Sequence, residues 1–155
     1  MLSAHARLAA AGLALPPISA PQGVYTPAVR VGDLVQVSGQ IPLHEGRPAA
    51  TGRVGAGISV EQGRELSARC VLASLAAIDA VAGLDNVTRV IKLVAYVASA
   101  DGFTGQHAVA DGAAEVLVAL FGEAGRHAST AVGVLDGPLD APVEIELLVE
   151  VRADV

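Results

Sequence analysis

Two glutamates, Glu144 and Glu146, stand at i and i+2 in the stretch APVEIELLVEV. On an extended chain that spacing puts both carboxyls on one face about 7 Å apart. If the face is closed from water, desolvation and mutual repulsion raise at least one pKa and make a proton carrier; if it is open, the pair is a solvated strand face. A second candidate is GRHASTAVGV, Gly125 to Val134, where Arg126 and His127 precede small hydroxyl and methyl residues. Those two basic groups equally suit a helix end, where positive charge offsets the macrodipole. His5, His44, His107 and His127 share no metal-ligand spacing, so a metal is not expected. The glycines of GRVGAG, residues 52–57, lack the lysine of a phosphate loop and read as a flexible turn. Cys70, the single cysteine, lies among Leu66, Ala73 and Ala77 and reads as a core residue.

The elements that must position these groups follow from patterning. A chain of 155 residues suits one domain, and with 52% hydrophobic but 3% aromatic residues its core is packed from small and branched aliphatics. Residues 3–14 suggest a short Ala/Leu helix ended near Gly12 and Pro16, and PPISAPQG reads as a linker. Ala28–Val31 and Leu34–Gly39 form a hairpin about a Gly-Asp turn. From Leu43 to Gly57 the chain reads mostly as loop, with room for one short strand. Ser59 opens a Ser-x-x-Gln capping box, and Val71, Leu75, Ile78 and Ala82 recur at helical spacing, predicting a helix over 60–81. VTRVIKLVAYVAS is a strand with Ile91, Leu93, Ala95 and Val97 on one face and Val90, Val94 and Tyr96 on the other. A second helix fits Thr104–Phe121, STAVGV is a strand, and the last strand alternates Val143, Ile145, Leu147, Val149 and Val151 against Glu144, Glu146, Leu148 and Glu150. The order predicts an α+β sandwich: a mixed sheet with both helices on one face. The other face remains half apolar, which favours burial against further copies of the chain.

A net charge of −6, with no Trp, two Tyr and two Phe, lacks the basic footprint and stacking platforms of a nucleic-acid binder. No apolar run reaches the ~20 residues of a membrane span, and the N-terminal run is broken by Gly12. With one cysteine and no disulfide framework, a cytoplasmic location is expected.

GVYTPAVRVGDLVQVSGQIP, VTRVIKLVAYVAS, LFGEAGRHASTAVGV and APVEIELLVEV, in that order, resemble the RidA/YjgF family, also called the L-PSP endoribonuclease family. The likeness runs from about Gly23 to Val151 and is nearest to a subgroup with a longer N-terminus. It divides the chain into an N-terminal helix and linker, residues 1–22, and a RidA/YjgF-like domain, residues 23–155. The resemblance implies a chorismate-mutase-like fold and a homotrimer whose sheets line a barrel, with ligand clefts between subunits. Better-known members hydrolyse reactive imines and enamines without a metal or organic cofactor. It further implies a cleft tyrosine at Tyr25, a Ser-Gly-Gln-Ile-Pro wall at Ser38, Gly39 and beyond, a water-activating glutamate at Glu144 and a backbone contact at Ala131.

One departure stands out. The arginine expected to grip a substrate carboxylate is replaced by Ser129. A serine offers one neutral donor where arginine offers a charged planar fork, a loss of about 1.5–3 kcal/mol, or roughly 10- to 150-fold in affinity, per charge-assisted bond. Arg126 lies three residues upstream, ~10 Å along an extended chain and of opposite side-chain parity. The helix asparagine of the family is replaced as well, by Ala110 or Asp111. Three functions follow: hydrolysis of small imines or enamines lacking the usual carboxylate, non-catalytic binding of a metabolite or protein in the same clefts, and, third because of the acidic chain, ribonuclease action.

Overall fold

The computed structural model describes residues 2–153; residues 1, 154 and 155, the ends of the two expected segments, lie outside the described residues. Helix α1, Ala4–Ala10, begins at Ser3, whose hydroxyl accepts from the Ala6 N–H at 3.1 Å. It is shorter than the 3–14 expected because the chain turns back at Gly12, where Leu13 N–H donates to Leu8 O at 2.9 Å. Ala4 and Leu8 are buried, and Leu13 and Leu15 pack on the same core, so this segment is seated on the rest of the chain.

Strands β1, Ala28–Val31, and β2, Leu34–Val37, form the expected hairpin around Gly32 and Asp33. The region expected to be mostly loop holds two small pairings. β3, Leu43–His44, runs antiparallel to β4, Arg47–Pro48, and β5, Arg53–Val54, runs parallel to β6, Gly57–Ile58. Helix α2, Val60–Ala82, starts with the full capping box: Gln62 N–H donates to Ser59 Oγ at 3.1 Å, and Ser59 N–H donates to Gln62 Oε1 at 2.8 Å. Strand β7, Val87–Ala98, helix α3, Gln106–Phe121, strand β8, Ala128–Val134, and strand β9, Val143–Val151, complete the chain.

The five-stranded sheet has the order β1-β2-β9-β7-β8. Only β7 and β8 pair in parallel within it, and α3 is the crossover between them. A crossover helix must pack on a sheet face, and α3 takes the face already covered by α2. Beneath them lie Val35, Val37, Leu93, Ala95, Val97 and the inner residues of β9, all buried. Each buried branched aliphatic contributes about 1.5–3 kcal/mol.

Strand β7 corrects one expectation. Val90 is fully buried on the inner face, not exposed with Val94 and Tyr96, and Ile91 is displaced from that face. The cause is a bulge: Val90 pairs with Val149 and Lys92 with Leu148, leaving Ile91 without a partner on β9. An extra residue shifts every side chain beyond it to the other parity. The outer face carries Val29, Val31, Leu34 and Val132 exposed, with Val94 and Tyr96 between them partly covered.

The two long helices come into backbone contact at Gly112 of α3, where a methyl group would overlap the backbone carbonyl of Arg64 on α2. In an open helix, glycine to alanine gains roughly 1 kcal/mol of propensity. Here the obstacle is backbone that cannot rotate away, so Gly112→Ala should destabilise by about 1–3 kcal/mol as overpacking does. Thermal unfolding followed by circular dichroism should show a lower Tm with the far-ultraviolet spectrum retained.

Candidate functional site

Glu144 stands on the outer face of β9, opposite Tyr96 of β7 and two residues from Glu146, which lies opposite Val94. What places a wall beside it is an irregularity after β2. Gln36 pairs with Leu148 and Gln40 with Ile145, so four steps along one strand match three along the other. Gln40 N–H donates to Ile145 O at 2.9 Å and Ile145 N–H returns a bond to Gln40 O at 3.0 Å. Ser38 and Gly39 lie in the interval and leave the ladder, which is why β2 ends at Val37 rather than at Gly39. A methyl group on Gly39 would overlap the Glu144 carboxylate, so the absence of a side chain there makes room for the acid.

The loop before β1 is fastened to this irregularity. Ser38 Oγ–H donates to Thr26 O at 2.7 Å, and Ser38 N–H donates to Pro27 O at 2.8 Å. Tyr25, next to Thr26, accepts from Gln22 N–H through its hydroxyl at 3.1 Å and leaves much of its ring exposed. Tyr25, Pro27, Gly39, Gln40 and Leu139 bound a narrow slot of about 50 Å³. On the outer face a shallower hollow of about 200 Å³ is bounded by Tyr96, Asp136, Pro138, Glu144 and Glu146. Gly39 lines the first and Glu144 the second, so their contact stands between the two spaces.

Burial raises the Glu144 pKa above the usual carboxylate range, and the negative charge of Glu146 adds to the rise. Burial likewise raises the Tyr96 phenol, with further contributions from Glu146 and then Glu144. A carboxylate with an elevated pKa, partly shielded and facing open space, can take a proton from water and return it at neutral pH. Cys70 is wholly buried, its Sγ 3.6 Å from Val143 O, and burial first and Glu144 second hold its thiol protonated, consistent with a core residue.

Tyr25, Ser38, Gly39 and Glu144 therefore come together within one chain, whereas Ser129 and Ala131 do not join them. Ser129 pairs with Leu93, and Ala131 with Ala95, on the edge strand β8, on the helix-side face of the sheet. From Glu144, Ser129 is two strands, ~9.5 Å, across and three residues, ~10 Å, along. Arg126 and His127 bond to the turn of residues 122–125 that follows α3. Arg126 Nε donates to Glu123 Oε1 at 3.0 Å, and His127 Nδ1 lies 2.7 Å from Gly125 O.

Three wall residues escaped the sequence reading as parts of the site. Alternation puts Tyr96 on the outer face, but its position opposite Glu144 comes from the strand register. Asp136 is held by Arg53 at 3.0 Å from the β5 turn. Leu139 and Asp140 adopt φ of 53° and 62°, a left-handed conformation that turns Leu139 outward beside the slot. Among the described residues, no three His, Cys, Asp or Glu side chains are grouped to hold a metal, and no helix is long and apolar enough to cross a membrane.

A mixed five-stranded sheet with its helices on one face defines an α+β protein of the chorismate-mutase-like class. The chain belongs to the YjgF/RidA family: residues 5–151 match the family model described as "YjgF/chorismate mutase-like, putative endoribonuclease". That match reaches upstream of Gly23, where the motif resemblance stopped, and takes in most of α1 and the linker. Protein TCP17 of Trypanosoma cruzi is 40% identical over 149 residues, covering 95% of this chain and 93% of the relative. The crystal structure of Atu1372 from Agrobacterium tumefaciens, described as of unknown function, is similar with a TM-score of 0.88 and 37% identity, covering 96% of this chain and 93% of that one. A "putative endoribonuclease" from Shewanella oneidensis has a TM-score of 0.93 at 29% identity, covering 97% of this chain and all of that one, 100%.

Two substitutions probe the geometry. A carboxyl whose pKa is higher folded than unfolded adds stability that is fully present below the ordinary carboxylate range and lost as pH rises through the raised value. Glu144→Gln, which carries no charge to desolvate, should raise Tm relative to the parent at neutral pH, and the gap should close in acid. Gly39→Ala should leave Tm within a few degrees, because the carboxylate can swing aside. Its Glu144 titration, followed by carboxyl-carbon NMR, should move toward the ordinary range as the acid is displaced into water.

Proposed function

We propose that this protein forms a homotrimer whose inter-subunit clefts bind a small molecule and hydrolyse a reactive imine or enamine that lacks the carboxylate of an amino-acid imine. The observation carrying this reading is the half-buried Glu144 beside Gly39, with an elevated pKa and open space before it. The ionised carboxylate takes a proton from water as the oxygen bonds to the imine carbon, and hands that proton to the nitrogen as the C=N bond becomes single. The carbinolamine then collapses: Glu144 takes its hydroxyl proton as the C=O bond forms and gives it to the nitrogen as the C–N bond breaks, leaving a carbonyl compound, ammonia or an amine, and the ionised carboxylate. Tyr25 and Ser38 shape the cleft, and neither metal nor organic cofactor is assigned a role.

The trimer supplies what one chain lacks. The exposed valines and Leu34 of the outer face would be covered, and the free edge of β8 from one copy would carry Ser129 and Ala131 to the Gly39 and Glu144 side of the next. Such a head-to-tail contact closes into a ring under threefold symmetry. Ser129 gives the cleft a neutral donor where a cation would select carboxylates.

The same serine favours a second reading, in which the trimer binds a metabolite or protein without turnover. Ribonuclease action, the activity in the family description, ranks below both because the chain is acidic, with an isoelectric point near 5.0. Cleavage of RNA by the purified protein, abolished in Glu144→Ala, would reverse that order.

Ammonia release from freshly generated uncharged imines should be accelerated, and from 2-aminoacrylate much less so. Glu144→Gln should lower the rate by roughly 10²–10⁴-fold, the usual contribution of a positioned acid-base group. The rate should rise with pH through a limb lying above the ordinary carboxylate range. Ser129→Arg should improve kcat/KM for the carboxylate-bearing substrate by roughly 10- to 150-fold, one restored charge-assisted contact. A ligand that raises Tm with no imine turned over would select the binding reading, and sedimentation or light scattering showing a stable monomer at micromolar concentration would overturn the trimer.

A further inference from the structure

A cavity larger than either space beside Glu144 and Gly39 lies on the helix side of the molecule. It is a groove of about 690 Å³ between the outward side of α2, the linker after α1 and the β3–β4 hairpin. That volume falls in the range of about 300–1,000 Å³ typical of small-molecule sites. Its walls are chiefly apolar, with Leu13, Pro16, Ile18, Ile41, Leu43 and Leu72 the bulkiest contributors. The linker spans the groove from Leu13 to Ser19, and beyond it lies the slot beside Tyr25, to which Ser19, Ile41 and Leu43 also belong.

The charged groups on the groove narrow the choice of occupant. Glu65 and Arg69 stand one helical turn apart on α2, and Glu45 lies at the tip of the facing hairpin. Among the described residues, none of these three side chains takes part in a hydrogen bond or ion pair. A fatty anion would satisfy Arg69 but meet two carboxylates, and an apolar cation would leave Arg69 unused. A molecule carrying both charges on an apolar body satisfies both signs. The i,i+4 spacing puts Glu65 and Arg69 Cβ atoms about 6 Å apart, while two residues of extended peptide reach about 7 Å. The α2 wall from Glu65 to Ala73 is about 12 Å long, enough for the two side chains of such a ligand to lie along it.

We infer that this groove is a binding site for a zwitterionic dipeptide with bulky apolar side chains, its ammonium between Glu45 and Glu65 and its carboxylate on Arg69. The site is separate from Glu144 and lies on the helix side of the sheet.

Calorimetric titration and thermal shift of the full-length protein with leucyl-leucine test the assignment. Leucyl-leucine should bind and raise Tm, whereas its N-acetylated amide, which has neither charge, and octanoate, which has only the negative one, should bind tenfold or more weakly. Arg69→Gln and Glu65→Gln, both at exposed positions, should each weaken leucyl-leucine by about tenfold or more. Glu144→Gln should leave its affinity unchanged, which separates this site from the cleft whatever becomes of imine turnover. The inference is overturned if leucyl-leucine does not bind at millimolar concentration, if the capped peptide or octanoate binds as well, or if Glu144→Gln abolishes binding while Arg69→Gln does not.

Discussion

Strand β9 lies between β2 and β7 with hydrogen-bonded neighbours on both edges, and its inner side chains are buried beneath α2. Its backbone is thus committed on two sides and its side chains on a third. Sliding it by one residue would turn Val143, Ile145, Leu147, Val149 and Val151 toward the open face and bring glutamates into the core. The helices hold the strand against that slip. Because Glu144 and Glu146 occupy the alternate positions of the same strand, the register that builds the core also fixes the acids on the outer face. The core and the candidate site lie on opposite sides of the same nine residues.

Much of this was legible because it rests on periodicity. The alternation of β9, the Ser59–Gln62 box opening α2 and the Gly-Asp hairpin are local patterns that tertiary contacts reinforce. The errors arise where one residue changes the count. Ile91 differs in no compositional way from its neighbours, yet its displacement moves Val90 to the core and reverses the parity expected for that end of β7. The pairs β3–β4 and β5–β6 are two residues long, too short for a period to register. The seating of α1 depends on Ala4 and Leu8 finding a body formed more than sixty residues later in the chain.

The site divides along the same line. Glu144 could be reached from its i,i+2 spacing and from the motif around it, and Ser129 from the motif alone. The reason Gly39 matters is steric, and it emerges only when the interval between Gln36 and Gln40 is set beside β9. Tyr96 required the cross-strand register, and Leu139 a left-handed backbone turn with no glycine to announce it. The sequence motifs name Tyr25, Ser38, Gly39, Ser129, Ala131 and Glu144 together, while the fold of one chain assembles four of them and leaves two on the far edge of the sheet.

That far edge has a consequence for the chain on its own. The seven residues of β8, ASTAVGV, contain no charge and no proline, and one side of the strand has no partner among the described residues. Proteins commonly guard such edges with lysine, proline or a covering loop, because an open strand templates pairing with any extended segment that reaches it. In a single copy of this chain the outer side of β8 is an unguarded adhesive strip. Its tendency to pair with other extended segments rises with concentration, and it comes from one unprotected row of backbone amides.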